Sequence, residues 1–368
     1  MNLSFTEEQT LLRNSVARYL ADNYGFQARR KFVRSPEGRD PAHWRAFAEL
    51  GLLAAAIPEE HGGYGGGAIE SMIVMEEFGR ALVIEPYVSS AIVAGGLIVR
   101  NAATALQEEW LPRIMAGEAI VATAFAEPDG RDDPAKVSTT ARKQGAGYVL
   151  DGRKTAVAGA PWADAILVSA RGPGDGVSLF LVDGNASGVA ARDYPTVDGG
   201  RASDISFERA EVPGGRLIGE TGAALPLILR AWDEAIAAHC AEAVGAMSAL
   251  LDQTVAYAKT RRQFGQPIGK FQALQHRMAD MFVALEEARS MTLLAALKLG
   301  TPESARTAAA AKVAVGKAAR FVGQQAIQIH GGMGMTDELA AAHYFKRLTM
   351  FGALFGSADR HLARFAAL

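Results

Sequence analysis

Two stretches with helical spacing flank a region of short strands, and this order constrains the fold of the 368-residue chain more than any other feature. Residues 1–120 carry apolar side chains three or four positions apart, the spacing of one helix face. In residues 121–222, short apolar runs alternate with turn residues, which is typical of a small β-barrel or sandwich. Long helical patterns return in residues 223–368 and predict a four-helix bundle. The sequence therefore predicts a multidomain α and β protein with these three domains.

Local signals place several element boundaries. Residues 6–9 (Thr-Glu-Glu-Gln) form a capping box, which predicts a helix start at Thr6. Asp-Gly pairs at 151–152 and 183–184 follow apolar runs and predict turns that end strands. Residues 300–302 (Gly-Thr-Pro) predict a helix stop followed by an N-cap at the threonine. Helices are then expected at about 271–298, 303–330, 337–351 and 357–367.

Charge and cysteine content exclude some classes of protein. Lys+Arg is 38 and Asp+Glu is 40, and this net charge of −2 argues against a general nucleic-acid binder. The single cysteine, Cys240, excludes an intrachain disulfide and is expected to be a small buried apolar residue. The first residues show no secretory leader, and no window approaches 18 uninterrupted apolar residues. We therefore predict a cytoplasmic protein without a membrane span, and we predict no metal site.

Two C-terminal segments carry the most specific motifs. Residues 257–272 read Tyr-Ala-Lys-Thr-Arg-Arg-Gln-Phe-Gly-Gln-Pro-Ile-Gly-Lys-Phe-Gln, and residues 328–335 read Gln-Ile-His-Gly-Gly-Met-Gly-Met. Both resemble flavin-contacting stretches of the acyl-CoA dehydrogenase family. Shorter matches follow the family order across nearly the whole chain, at 111–118, 126–128, 150–154 and 212–219. Residues 261–281 are most similar to small-subunit members, such as the small subunit of pimeloyl-CoA dehydrogenase.

The resemblance implies an FAD-dependent oxidoreductase that desaturates an acyl-CoA thioester. It also implies the three-domain fold of the family, with an electron-transfer flavoprotein as electron acceptor. The chemistry needs a carboxylate base held in an apolar site, where desolvation tunes its pKa. It also needs hydrogen-bond donors on the thioester oxygen and a flavin held against the α–β bond.

In the family, the flavin is shared across a dimer interface, so the C-terminal bundle is expected to carry FAD and oligomer contacts. Arg261 would pair with the pyrophosphate, because a guanidinium suits phosphate oxygens. Phe264 would offer an aromatic surface, and Gly331 and Gly332 would let backbone approach the cofactor closely. The cofactor-binding residues that the resemblance implies are Arg261, Gln263, Phe264, Gln272, Gln328, Ile329, His330, Gly331 and Gly332.

The chain departs from the family where the catalytic base is expected. The usual glutamate position, just before a glycine, is occupied by Phe355. The alternative position, on the first bundle helix, is occupied by Ala235. The neighbouring Glu234 is a weak candidate for the base, because adjacent residues point about 100° apart on a helix. An ion-paired or exposed surface acid is the simpler interpretation of Glu234.

The middle region departs from the family as well. Ala156 and Ala158 replace an aromatic residue and a threonine that usually contact the flavin ring, and residues 129–133 are altered. We therefore expect a dehydrogenase subunit completed by a homologous partner, which supplies the base and the ring-side contacts in a dimer or tetramer. Two alternatives stay open: a self-sufficient homo-oligomer with a displaced base, and a flavin-free structural or binding subunit. The acyl group cannot be read from the sequence.

Overall fold

The structure is a computed structural model that describes residues 4–130, 133–172 and 174–368. Its contacts divide the chain into two compact units. The first, here called the helical unit, comprises Met1–Lys31, Ala68–Val83 and Ile236–Leu368. The second, here called the sheet unit, comprises Phe32–Gly67 and Ile84–Ala235. The three domain boundaries predicted from the sequence stay predictions. In the altered segment 129–133, Arg131 and Asp132 lie outside the described residues.

Eleven α-helices form within the described residues. In chain order they are α1 Glu7–Asn23, α2 Phe26–Val33, α3 Pro41–Glu49, α4 Ala68–Ala81, α5 Gly95–Asn101, α6 Thr104–Met115, α7 Leu225–Thr260, α8 Gln272–Lys298, α9 Ser304–His330, α10 Ala340–Ala353 and α11 Ala358–Ala367.

The same residues form ten strands. They are β1 Val121–Ala124, β2 Thr140–Gln144, β3 Gly147–Ala158, β4 Ala165–Arg171, β5 Val177–Asp183, β6 Val189–Pro195, β7 Arg201–Pro213, β8 Leu217–Ile218, β9 Arg262–Gln263 and β10 Gln266–Pro267.

In the helical unit, α8 and α9 pack along each other, and α10 and α11 pack on α9. The capping box predicted at the start of α1 is confirmed, since Thr6 and Gln9 exchange both hydrogen bonds. The N-cap predicted at Thr301 is wrong, because α9 begins only at Ser304. The Thr301 hydroxyl accepts the Glu303 N–H within the preceding turn instead. Helix α10 likewise begins three residues later than predicted, at Ala340.

Helix α7 is long and apolar enough to cross a membrane by length and composition alone. In the structure, however, 83% of its most apolar window is buried inside the protein. Cys240 lies on this helix with no exposed surface, as the sequence predicted. Burial raises the pKa of its thiol to about 12, although the positive charge of Lys312 acts to lower it. The thiol is therefore neutral near pH 7 and behaves as an apolar group.

The sheet unit is built on one mixed sheet of eight strands. The strand order is β6-β7-β3-β2-β4-β5-β8, and β1 pairs in parallel with β4. The long strands β3 and β7 pair antiparallel, with register shifts at Leu150/Gly152 and at Lys154/Val157. The turn predicted at residues 151–152 is therefore wrong, because an extra residue there is absorbed as a β-bulge and the strand continues. The other predicted turn is confirmed, since β5 ends at Asp183.

Candidate functional site

A two-stranded hairpin of β9 and β10 presents an aromatic side chain to solvent. Its central residues, Phe264 and Gly265, have φ angles of 51° and 80°, the left-handed values that match hairpin twist. A non-glycine residue with such a φ costs about 1–2 kcal/mol. Phe264 is nevertheless 92% exposed, and its ring meets the Phe271 ring edge to face with centroids 6.0 Å apart. A strained turn that holds an aromatic ring in solvent is typical of a binding contact.

Arg261 lies between the end of α7 and this hairpin. Its N–H donates to the Tyr257 carbonyl, and its own carbonyl accepts the Ile268 N–H, both at 2.8 Å. The backbone is thus held on both sides. The guanidinium is exposed and makes no ion pair or hydrogen bond with any residue that the structure describes. An unpaired cation on a fixed backbone is available for an anionic ligand.

The second predicted segment lies beside the first. The rings of Tyr257 and His330 stack with centroids 4.5 Å apart, and the Tyr257 hydroxyl donates a long 3.4 Å hydrogen bond to the His330 carbonyl. Ile329 and His330 are buried, whereas Gln328, Gly331 and Gly332 are exposed. Tyr257 therefore brings the glycine backbone next to the end of α7.

His330 is held as a neutral packed residue. Its Nδ1–H donates to the Ala326 carbonyl at 2.8 Å. Burial lowers the pKa of its imidazole, although this hydrogen bond acts to raise it. The side chains of Ile329 and His330 serve packing, so the parts of residues 328–332 open to a ligand are the Gln328 amide and the glycine backbone. A Cβ added at Gly331 or Gly332 would meet nothing within 4 Å.

These groups together fit a dinucleotide cofactor. One surface of the helical unit carries the Arg261 cation, the exposed Phe264 ring and open glycine backbone, while Gln263 and Gln272 add exposed amides. A cation and amide donors suit a pyrophosphate, and an aromatic face suits a flat ring system. The role of each predicted residue as a cofactor ligand stays a prediction.

Neither expected base position holds a group that can accept a proton. Phe355 has a left-handed φ of 54°, and its carbonyl accepts the buried His361 Nε2–H at 2.7 Å. Ala235 is fully buried within α7. The carboxylate of Glu234 lies 2.8 Å from an Arg100 nitrogen and 3.4 Å from an Arg230 nitrogen. Glu234 thus forms the ion pairs that the simpler interpretation expected.

Sequence reasoning missed a histidine next to Phe355. The rings of His239 and Phe355 lie 5.1 Å apart between centroids, at an angle of 36°. His239 Nδ1 lies 2.8 Å from Glu242 Oε2, and Glu242 Oε1 lies 2.8 Å from Arg347 Nε. A His and a Glu three residues apart on one helix face were the signal available in the sequence.

In the sheet unit, Ala156 and Ala158 are both exposed on one side of β3. Ala156 has a φ of 52°, and its N–H donates to Asp204 at 3.2 Å. The Asp204 carboxylate also accepts hydrogen bonds from Arg192 and Tyr194. The bond from Arg192, followed by the Ala156 N–H, holds the pKa of Asp204 well below its usual range. Asp204 thus holds the strand at Ala156, and Ala156 and Ala158 present only methyl groups.

Comparisons with known proteins identify the family of this chain. Models of the N-terminal, middle and C-terminal domains of acyl-CoA dehydrogenase match residues 6–118, 122–210 and 226–367. Mouse mitochondrial short-chain specific acyl-CoA dehydrogenase is 33% identical over 315 residues, which cover 83% of this chain and 76% of the mouse protein. The chain belongs to the acyl-CoA dehydrogenase family. The predicted fold class and the oxidoreductase activity on CH–CH bonds of acyl-CoA are thereby confirmed.

Two solved structures bear on assembly and cofactor. The ChsE4-ChsE5 complex from Mycobacterium tuberculosis contains a chain that is 27% identical, with a TM-score of 0.92 and coverage of 100% of this chain and 98% of that one. The FAD complex of PigA is 26% identical, also with a TM-score of 0.92, and covers 100% of this chain and 98% of PigA. FAD is thus supported as the cofactor of this acyl-CoA dehydrogenase family.

The Arg261→Ala variant of this acyl-CoA dehydrogenase family member is expected to bind FAD about 10- to 150-fold more weakly. The loss corresponds to one charge-assisted phosphate contact, about 1.5–3 kcal/mol. The fold should survive, because the Arg261 side chain is exposed and unpaired within the described residues. Flavin fluorescence titration measures the affinity, and Arg45→Ala, at an exposed position on α3, is the matched control. Equal affinities of the variant and the parent would remove Arg261 from the site.

Proposed function

We propose that this chain is a subunit of an FAD-dependent acyl-CoA dehydrogenase, in which the Arg261–Phe264 surface binds FAD shared with a neighbouring subunit. The observation that carries the proposal is an Arg261 side chain without a partner among the described residues, next to a hairpin that holds Phe264 92% exposed. An aromatic ring that a strained backbone holds in solvent costs stability unless a ligand or a neighbour covers it. Bound FAD supplies a two-electron acceptor for the β-hydrogen of the substrate.

We further propose that the neighbouring subunit is a homologous dehydrogenase chain in a dimer or tetramer. The exposed methyl groups of Ala156 and Ala158 leave the flavin ring without the usual contacts, and Phe355 and Ala235 leave both family positions without a base. A partner that has the family's usual ring contacts and carboxylate base has a complete site of its own. This chain lends that site its pyrophosphate and adenine contacts. The two-component ChsE4-ChsE5 complex supports this arrangement as a structural relative.

Exposed apolar side chains on the helical unit support the presence of a neighbour. Phe282 and Val283 on α8 are 55% and 54% exposed, and Met333 and Met335 beside the glycine segment are 52% and 68% exposed. A groove of about 420 Å³ between α7 and α8 continues the Phe282 surface. Apolar side chains grouped near a cofactor half-site are typical of a subunit interface.

Two alternatives make different predictions. A self-sufficient homo-oligomer needs a base within this chain, and the His239–Glu242 pair is the observation that favours it. A structural subunit without flavin would have no use for the strained, exposed Phe264. The electron-transfer flavoprotein as acceptor and the cytoplasmic location stay proposals from the resemblance and the composition.

The decisive experiment compares the chain alone with the chain co-expressed with a homologous dehydrogenase subunit. We expect the purified pair to be yellow, to sediment as a dimer or tetramer at micromolar concentration, and to oxidise acyl-CoA with an artificial acceptor. We expect the chain alone to bind flavin weakly and to turn over little. A yellow, active homo-oligomer would support the self-sufficient alternative. Colourless preparations in every combination would support the structural alternative.

A further inference from the structure

We infer that His239 is the proton acceptor of this chain's own active site, with Glu242 as its positioning residue. The inference rests on the proposed function for the flavin step. It leaves the partner's carboxylate site as proposed and adds a second kind of site to the assembly, with a histidine in place of a carboxylate.

Contacts within the helical unit fix the tautomer of His239. Its Nδ1 lies 2.8 Å from Glu242 Oε2, and an ionised carboxylate can only accept a hydrogen bond. Nδ1 therefore carries the hydrogen, and Nε2 presents its lone pair. Nε2 has no hydrogen-bond partner among the residues of the described ranges. A carboxylate that orients one ring nitrogen while the other stays open is the arrangement of a histidine general base.

An arginine side chain lies beside the Glu242 carboxylate on the side away from His239. Its other carboxylate oxygen lies 2.8 Å from Arg347 Nε, and the side chains of Glu242 and Arg347 are only 8% and 16% exposed. A nearby guanidinium favours the charged form of a carboxylate. Glu242 can therefore stabilise the imidazolium that forms when His239 takes up a proton.

His239 lies next to the position where the family resemblance places the catalytic base. Its ring packs against the ring of Phe355, which occupies the place of the usual catalytic glutamate. The Phe355 backbone is fixed by the hydrogen bond from His361, and Lys312 donates to the Phe351 carbonyl at the end of α10. The loop therefore holds Phe355 in place. His361, the other histidine that contacts Phe355, is 1% exposed, whereas His239 is a neighbouring side chain with partial exposure that can accept a proton.

The step balances without a further reactant. His239 Nε2 takes the α-proton, and the electron pair of that C–H bond forms the Cα=Cβ bond. FAD held at Arg261 and Phe264 would supply the acceptor for the β-hydrogen and its bonding pair. The imidazolium then returns its proton to water. The product is the 2,3-unsaturated thioester, and a positioned base of this kind contributes about 10²–10⁴-fold.

Hydrogen–deuterium exchange at the thioester α-carbon tests this inference without relying on turnover. The purified chain, with and without FAD and with any required partner, is incubated in D₂O with butanoyl-CoA or phenylacetyl-CoA. Mass spectrometry follows deuterium uptake. Where a partner is required, it carries glutamine in place of its own base. We expect exchange with the parent chain, a fall of at least about 100-fold in His239→Gln, and partial rescue of His239→Ala by added imidazole.

Two further variants sharpen the result. Glu242→Gln should reduce exchange less than His239→Gln does. The imidazole is still present in this variant, and only the carboxylate that fixes its hydrogen on Nδ1 is lost. His61→Gln, which changes a histidine of the sheet unit, should exchange as the parent does. Parental exchange in His239→Gln, or no exchange in the parent with either thioester, would overturn the inference. Exchange without flavin binding or oxidation would leave His239 as the base and refute the proposed flavin function.

Discussion

Replacing Lys154 by methionine is expected to lower the free energy of unfolding by about 3–5 kcal/mol. The Lys154 ammonium lies 2.7 Å from Glu127 Oε1 and donates to the Ser169 hydroxyl at 2.9 Å. The Lys154 and Glu127 side chains are 0% and 3% exposed. The variant leaves the Glu127 carboxylate buried without its cation, although the N–H groups of Ser138 and Thr139 still bind it. Urea unfolding followed by circular dichroism measures the loss.

The double variant Glu127→Gln/Lys154→Met separates a lost ion pair from an uncompensated charge. It should recover a large part of the loss, because no charge is then buried alone. Lys143→Met, at an exposed position on β2, should change stability by less than about 0.5 kcal/mol. A Lys154→Met protein within about 1 kcal/mol of the parent would contradict the structural role of this pair.

The same pair makes stability depend on pH. Burial lowers the pKa of Lys154 to about 8, although the charge of Glu127 acts to raise it. An unfolded lysine keeps its proton up to about pH 10. Between these values the unfolded chain binds a proton that the folded chain has released, so Lys154 makes stability rise with pH. The rise between pH 8 and pH 10 should be smaller in Lys154→Met than in the parent, because burial also lowers the pKa of Lys312 to about 8 and that lysine still contributes.

Replacing Gly245 by alanine is expected to cost about 3 kcal/mol or more and to prevent normal packing of α4 on α7. A Cβ at Gly245 would lie 1.8 Å from the Glu76 carbonyl oxygen, and one at Gly79 would lie 1.9 Å from the Glu242 carbonyl oxygen. The two glycines therefore let the backbones of α4 and α7 approach closely. Backbone atoms cannot rotate away as a side chain can, so the helices must separate. Thermal unfolding of the variant and the parent measures the effect.

Gly316→Ala, on α9, is the matched control for this substitution. A Cβ there would meet nothing nearer than the Phe351 ring at 3.8 Å, an ordinary contact distance. Alanine in a helix interior is favoured over glycine by about 0.5–1 kcal/mol, so this variant should be slightly more stable than the parent. Because Glu242 lies at the helix crossing, Gly245→Ala should also disturb the His239–Glu242 contact. A Gly245→Ala protein as stable as Gly316→Ala would contradict the close approach of the two helices.

Local chemistry made much of the fold predictable. The capping box at Thr6 and Gln9, the long helices of the C-terminal region and the short strands after residue 120 depend on neighbours within a few residues. Such signals survive in any tertiary context that keeps the local backbone. Predictions failed where tertiary pairing overrode them. Pairing with β7 absorbed the Asp-Gly pair at 151–152 as a bulge, and Thr301 bonds within its turn instead of capping α9.

The sequence by itself determined the family, the order of the helical and sheet regions, and the absence of a carboxylate at Phe355 and Ala235. The motif residues occur in register along the chain, so no three-dimensional information was needed. Only the tertiary structure decided that Tyr257 stacks on His330 and that His239 packs on Phe355. It also decided that Glu234 is paired with Arg100. These contacts join residues far apart in the chain. Local sequence patterns do not specify which distant residues meet, because that depends on how the helices pack.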